Sequence, residues 1–178
     1  MRYSKIREMD VSNGEGVGVA LFVQGCHFHC KGCFNQETWD FNGGKEFTDE
    51  TILSLVRLAT KPYIRRVSIL GGEPLCDENV HQVFRVVRYF DFAHPDKKTW
   101  LYTGYDVDDI LRERNQSEES FERFLTIIAA DVVVDGKFQI ENQDIFNEKI
   151  VFAGSTNQRI LRHQDILKRY NELNKEVK

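Results

Sequence analysis

Short apolar runs alternate with amphipathic stretches along most of this chain, and that alternation restricts the fold more than any other feature. Residues 17–23, 67–70, 99–102, 131–134 and 150–153 read as strands, each a brief apolar run ending at glycine or polar residues. The stretches between them carry helical periodicity. Ile52, Leu55, Val56 and Ala59 fall on one stripe of residues 49–60. Val80, Val83, Phe84 and Val87 do so within residues 77–90, and Phe121, Phe124, Leu125 and Ile128 within residues 117–129. Residues 106–114 read as a further helix, and a last helix is expected from Gln158 onward. Strands that alternate with helices pair in parallel through right-handed crossovers. Five or six such units in 178 residues are too few to close an eight-fold barrel, which needs about 250. The expected fold is therefore α/β, an open partial (β/α) barrel of five to six mostly parallel strands. No repeat, low-complexity tract or Gly/Ser linker divides the chain, so residues 1–178 read as one domain.

Composition removes several function classes. A formal net charge of −4 argues against a general nucleic-acid binder, which shows a basic excess. No run of about 18 apolar residues is present, so no membrane span is expected. The first residues, MRYSKIREMD, lack the apolar stretch of a secretory signal. A cytoplasmic location follows as the expectation, and there clustered cysteines point to metal or redox chemistry rather than disulfides.

In parallel α/β sheets, ligands bind beyond the carboxyl ends of the strands. Here the chain reads Gln24 to Cys33 after the first strand, with three cysteines, then Gly71-Gly72-Glu73-Pro74 after the second. Thr103-Gly104-Tyr105, Asp135-Gly136-Lys137 and residues 154–159 follow the later strands. Turns alone explain the glycines. They do not explain Cys26, Cys30 and Cys33 sharing an edge with a Gly-Gly-Glu-Pro.

The C-x-x-x-C-x-x-C spacing wraps three thiolates around one point, and such soft ligands suit iron–sulfur clusters or zinc. A cubane has four irons, so three thiolates leave one iron open. An open coordination position admits a substrate ligand, and the amino and carboxylate end of S-adenosylmethionine is the chelate expected. Two other arrangements use the same residues. A structural zinc would take the three cysteines with His27, His29 or Cys76, and a closed cluster would take Cys76 as fourth thiolate. Cys76 reads first as a small residue at a helix start, and the two histidines as loop residues. Glu73 reads as an acceptor for an ammonium group, or as a helix-cap neighbour or ion-pair partner. Asp135 either favours a turn or accepts from ribose hydroxyls. Arg159 either binds a carboxylate or is a surface charge.

Together these segments resemble a known family. The cysteine loop followed by Gly-Gly-Glu-Pro is similar to the radical S-adenosylmethionine superfamily. Gln24 to Asn35, Thr38-Trp39, Gly71 to Leu75, Thr103-Gly104-Tyr105, Val134 to Phe138 and Gly154 to Arg159 resemble the anaerobic ribonucleoside-triphosphate reductase-activating proteins, in the glycyl-radical activase branch. The resemblance implies a 4Fe–4S cluster on Cys26, Cys30 and Cys33, and S-adenosylmethionine contacts from Gly32, Cys33 and Phe34 and from Gly71, Gly72 and Glu73, with Asp135 nearby. The superfamily commonly has an aromatic residue before the third cysteine. Here Gly32 stands there and Phe34 follows, so Phe34 is expected on the adenine side.

The implied activity is reductive cleavage of S-adenosylmethionine, with hydrogen then taken from a glycine Cα in the glycyl-radical subunit of the reductase. A flavodoxin- or ferredoxin-type protein would supply the electron. No side chain need act as a general acid or base, because the cofactors carry the chemistry. The competing expectations are an activase of another glycyl-radical enzyme, and a zinc-stabilised binding module without catalysis.

Overall fold

The first strand forms where no apolar run announces one. The computed structural model describes residues 1–144 and 151–176. Along the chain it shows β1 (Arg2–Asp10), β2 (Gly18–Val23), β3 (Lys45–Glu46), α1 (Asp49–Ala59), β4 (Arg66–Gly71) and α2 (Asp77–Ala93). These are followed by β5 (Lys98–Tyr102), α3 (Val107–Glu113), α4 (Glu118–Ala129), β6 (Val132–Asp135), β7 (Arg159–Arg162) and α5 (His163–Glu176). The seven strands make one open sheet in the order β3-β1-β2-β4-β5-β6-β7.

The four central strands, β2, β4, β5 and β6, are parallel and lie where the apolar runs predict them. The flanks depart from the expectation. β1 runs antiparallel to β2 and to β3, and β7 runs antiparallel to β6. Half of the six pairings are thus antiparallel, not the mostly parallel set expected. β1 has few apolar residues, and register shifts after Tyr3 and Arg7 break its two-residue period. Val151 and Phe152 form a turn rather than the expected fifth strand, and residue 150 lies outside the described residues. The edge strand is β7 instead, within the stretch read as the start of the last helix. Its two apolar residues, Ile160 and Leu161, point to opposite faces, the alternation of a strand.

All five helices pack on one face of the sheet. Val19, Leu21, Val67, Ile69, Leu101 and Val133 meet Leu55 of α1, Val83 of α2, Leu111 of α3, Ile127 of α4 and Ile166 of α5. The helix starts are capped locally. Thr48 and Thr51 form a capping box at α1, Ser117 and Ser120 another at α4, and Asp106 accepts from Asp108 N at α3. No described helix is long and apolar enough to cross a membrane.

Among the described residues, no α-helix packs on the opposite face, which is lined by Ala20, Phe22, Leu70 and Tyr102. At the amino edge of the parallel strands it is plugged by an ion pair. Arg66 Nη2 donates to Asp10 Oδ1 at 2.9 Å, with both side chains fully buried. Arg66 also donates to the Asp10 carbonyl at 3.0 Å and to Ser68 Oγ, which in turn donates to the Asn13 carbonyl. Removing one partner of such a pair leaves a buried charge uncompensated. Asp10→Ala is expected to lower unfolding free energy by about 3–5 kcal/mol, read as a lower urea midpoint at unchanged slope.

Candidate metal and cofactor site

A cavity of about 640 Å³ opens on the helix-free face at the carboxyl edge of the parallel strands. Cys26, Cys30 and Cys33 all border it, as do Gly71, Gly72 and Glu73. The loop after β2 therefore meets the loop after β4 in one space, as the strand-end reading expects.

The cysteine loop is shaped by its backbone. Gly25 N donates to Thr38 O at 2.8 Å and Cys26 N to Trp39 O at 3.1 Å, tying the loop to the segment that follows it. A turn closes from Cys33 N to Cys30 O at 3.1 Å. His29 enters it at a φ of 46°, the one positive φ outside glycine among the described residues. Asn35 N donates to Cys33 Sγ at 3.4 Å. Burial pushes the Cys26 thiol above its ordinary pKa, against the N–H groups of Phe28 and His29 that pull it down. Burial also raises Cys30, as does the neighbouring Cys33.

The donor set fits an iron–sulfur cluster better than a lone ion. All four cysteines are free thiols. Among the described residues, no three His, Cys, Asp or Glu side chains converge tightly enough to hold one metal ion. A cubane spreads its thiolates over separate irons and so takes a wider trio. His27 and His29 stay out of the cavity lining. His27 pairs with Glu78 at 2.9 Å and stacks on Phe41, and His29 stacks on Trp39. Cys76 is buried at the N-cap of α2, outside the lining, and burial holds its thiol far above the ordinary range.

Gly72 brings two loops into contact. A Cβ there would stand 2.3 Å from Gly25 O and 3.0 Å from Thr38 O. The next residue, Glu73, gathers three loops. Its N–H donates to Gly25 O at 2.7 Å. Its carboxylate accepts from Leu75 N at 2.9 Å, Thr103 Oγ1 at 2.7 Å and Gly104 N at 2.7 Å. Burial outweighs these donors and raises the carboxyl from 4.5 to about 7. Glu73 thus ties the loops together and also borders the cavity.

Asp135 departs from the expectation. It does not border the cavity, and its carboxylate is already occupied. Val107 N donates to it at 2.9 Å, and the Arg159 guanidinium holds both oxygens. Arg159 is neither a surface charge nor a ligand contact, since it also bridges Asp106 and Asp108 at 2.9 Å each. The neighbours continue this pairing as a ladder. Gln158 Nε2 donates to Gly136 O and Asn157 Nδ2 to Lys137 O, both at 2.8 Å. The Asp-Gly-Lys and Asn-Gln-Arg motifs are thus two sides of one brace.

Gly32 lies beside the cavity rather than on it, at a φ of 75°, and a Cβ would meet Ile140 Cδ1 at 2.5 Å. Phe34 borders the cavity, 65% exposed, and packs on Phe138 at 5.1 Å. Sequence reasoning passed over Lys137, which borders the cavity with its ammonium 4.5 Å from the centre of the Phe28 ring. No sequence signal marks it, because Asn157 and Gln158 hold this loop through the backbone carbonyls of Lys137 and Gly136.

The comparisons with known proteins agree with this site. Residues 12–161 match the family described as a 4Fe-4S single cluster domain. A relative from Enterobacteria phage T4, the anaerobic ribonucleoside-triphosphate reductase-activating protein, is 33% identical over 93% of this chain and 96% of its own. The proteins of the same name from Escherichia coli K12 and Vibrio cholerae serotype O1 are 32% and 35% identical. They cover 89% and 91% of this chain, and 96% and 98% of their own. The chain belongs to this family of anaerobic ribonucleoside-triphosphate reductase-activating proteins.

Two outcomes test the site's construction. Because the folded state raises the Glu73 pKa, the stability it contributes is complete below pH 4.5 and is lost as pH rises through about 7. Unfolding free energy of the metal-free protein should fall between pH 5 and 8 by an amount on the order of 3 kcal/mol, and Glu73→Gln should remove that slope. Cys76→Ala should keep full iron content on anaerobic reconstitution. Loss of iron there would place Cys76 among the ligands.

Proposed function

We propose that this chain generates a glycyl radical on anaerobic ribonucleoside-triphosphate reductase by reductive cleavage of S-adenosylmethionine at a 4Fe–4S cluster. Cys26, Cys30 and Cys33 would hold the cluster, leaving one iron open. The observation that carries the reading is that these three thiols and Gly71-Gly72-Glu73 border one cavity. We read the sheet, with its helices on one face, as an open partial (β/α) barrel acting as a single radical S-adenosylmethionine domain.

When bound, the cluster supplies the electron that breaks the carbon–sulfur bond of S-adenosylmethionine, yielding methionine and the oxidising power to take hydrogen from a glycine. The chain's own residues bind, orient and enclose. Gly72 keeps the backbone after β4 close beneath the cysteine loop, so its neighbours' polar groups face the methionine end of the ligand. Glu73 supplies an acceptor for the ligand's ammonium group, most strongly when ionised. Phe34 presents an apolar face beside Cys33 for the adenine. Phe22, Leu70 and Tyr102 form a largely apolar floor that excludes water. The cavity is open to solvent on the helix-free face, which leaves a peptide segment of the reductase room to reach the reacting carbon. A flavodoxin- or ferredoxin-type donor delivers the electron from outside.

The test is electron paramagnetic resonance on anaerobically reconstituted protein with reductant, S-adenosylmethionine and the reductase. A glycyl doublet on the reductase is expected with the native chain and is expected to vanish with Cys30→Ala. An intact cluster that cleaves S-adenosylmethionine but yields no glycyl signal would contradict the assigned target.

A further inference from the structure

We propose that the loop after β6, residues 136–142, sets the reduction potential of the cluster through the Lys137 ammonium. The inference rests on the reading that Cys26, Cys30 and Cys33 hold that cluster.

The loop grips the cysteine loop at three points. The Lys137 ammonium sits 4.5 Å from the centre of the Phe28 ring, between Cys26 and Cys30 in sequence. The Phe138 ring lies 5.1 Å from that of Phe34, the residue after Cys33. Ile140 fills the space where Gly32 has no side chain. From this position Lys137 borders the same cavity as Cys26, Cys30 and Cys33, and its charge acts on the Cys30 sulfur.

The loop is also held rigidly enough to act as a fixed field. Gln158 and Asn157 bind the carbonyls of Gly136 and Lys137. Ser155 Oγ accepts from Gln139 N at 3.2 Å, and Arg159 locks Asp135 at the loop's base. Among the described residues, three charged side chains border the cavity: Arg7, Glu73 and Lys137. Arg7 is committed to Asp10 at 2.8 Å, near the plug. Glu73 is a carboxyl and acts in the opposite sense. Among the described residues, Lys137 is therefore the cation placed to act on the cluster.

Reduction adds one negative charge to the cluster. A cation beside the ligand sulfurs favours the more negative state, and charge near the sulfurs is a lever on cluster potential. The loop should therefore raise the potential and ease electron uptake from the donor. Asn35 N on Cys33 Sγ works in the same direction but comes from the cysteine loop itself.

The experiment is a potentiometric titration of the cluster-loaded protein without S-adenosylmethionine, followed by electron paramagnetic resonance, after iron and labile sulfide have been assayed on each variant. Lys137→Met should keep its iron and move the midpoint to more negative values by at least a tenfold change in the one-electron equilibrium, ~59 mV. Lys137→Arg should restore the native midpoint. A fully loaded Lys137→Met with the native midpoint would overturn the proposal, and so would loss of iron in that variant. A native chain without labile sulfide would fail the cluster reading at the first assay and take this proposal with it.

Discussion

The arrangement of the site depends on one buried carboxylate. Glu73 stands at the end of β4 and accepts from Leu75 N, Thr103 Oγ1 and Gly104 N, while its own N–H reaches Gly25 O. These contacts join the loops after β2, β4 and β5. Its carbonyl also accepts from Asn79 Nδ2, and the same amide group donates to Gln24 O, which fixes the start of α2 against the cysteine loop. Charge-assisted hydrogen bonds are among the stronger polar contacts in a fold, and a buried acceptor left without its donors costs about 1–3 kcal/mol. Geometry at the cysteine loop is thus coupled to geometry at two neighbouring strand ends.

The edges of the sheet are secured by ions rather than by closure. A full barrel has no free edge, but this sheet ends at β3 on one side and β7 on the other. Arg66 and Asp10 plug the amino end of the helix-free face. Arg159 draws together Asp106, Asp108 and Asp135, and Arg169 of α5 adds a second contact to Asp108 at 2.9 Å. These ties hold the last strand and helix on while the carboxyl end stays open. An enzyme that acts on a loop of another protein needs that opening, and a closed barrel would deny it.

The legible parts of the fold and site are those where residue type and period point the same way. α1, α2 and α4 each carry a clear apolar stripe, and β4 and β6 are short apolar runs, so each lies within a few residues of its expected place. β1 was hidden because Tyr3 and Ile6 pack on the core while bulges and charged residues disrupt the alternation between them. β7 was hidden because two apolar residues between arginines resemble a helix start as much as a strand. The cysteine trio and Gly-Gly-Glu each follow a parallel strand, so their meeting at one cavity is legible in the sequence. Asp135 and Arg159 do not, since an acid and a base far apart in sequence give no sign that they neutralise each other. Lys137 is similar: only the ladder to Asn157 and Gln158 turns an ordinary lysine into a cavity residue.

In the proposed site, three thiolates hold a cubane whose fourth iron is free to take S-adenosylmethionine. Mössbauer spectroscopy of protein reconstituted with iron-57 tests it most directly. One iron in four should change its isomer shift and quadrupole splitting when S-adenosylmethionine is added, while the other three do not. Four irons that remain alike with and without S-adenosylmethionine would contradict the account.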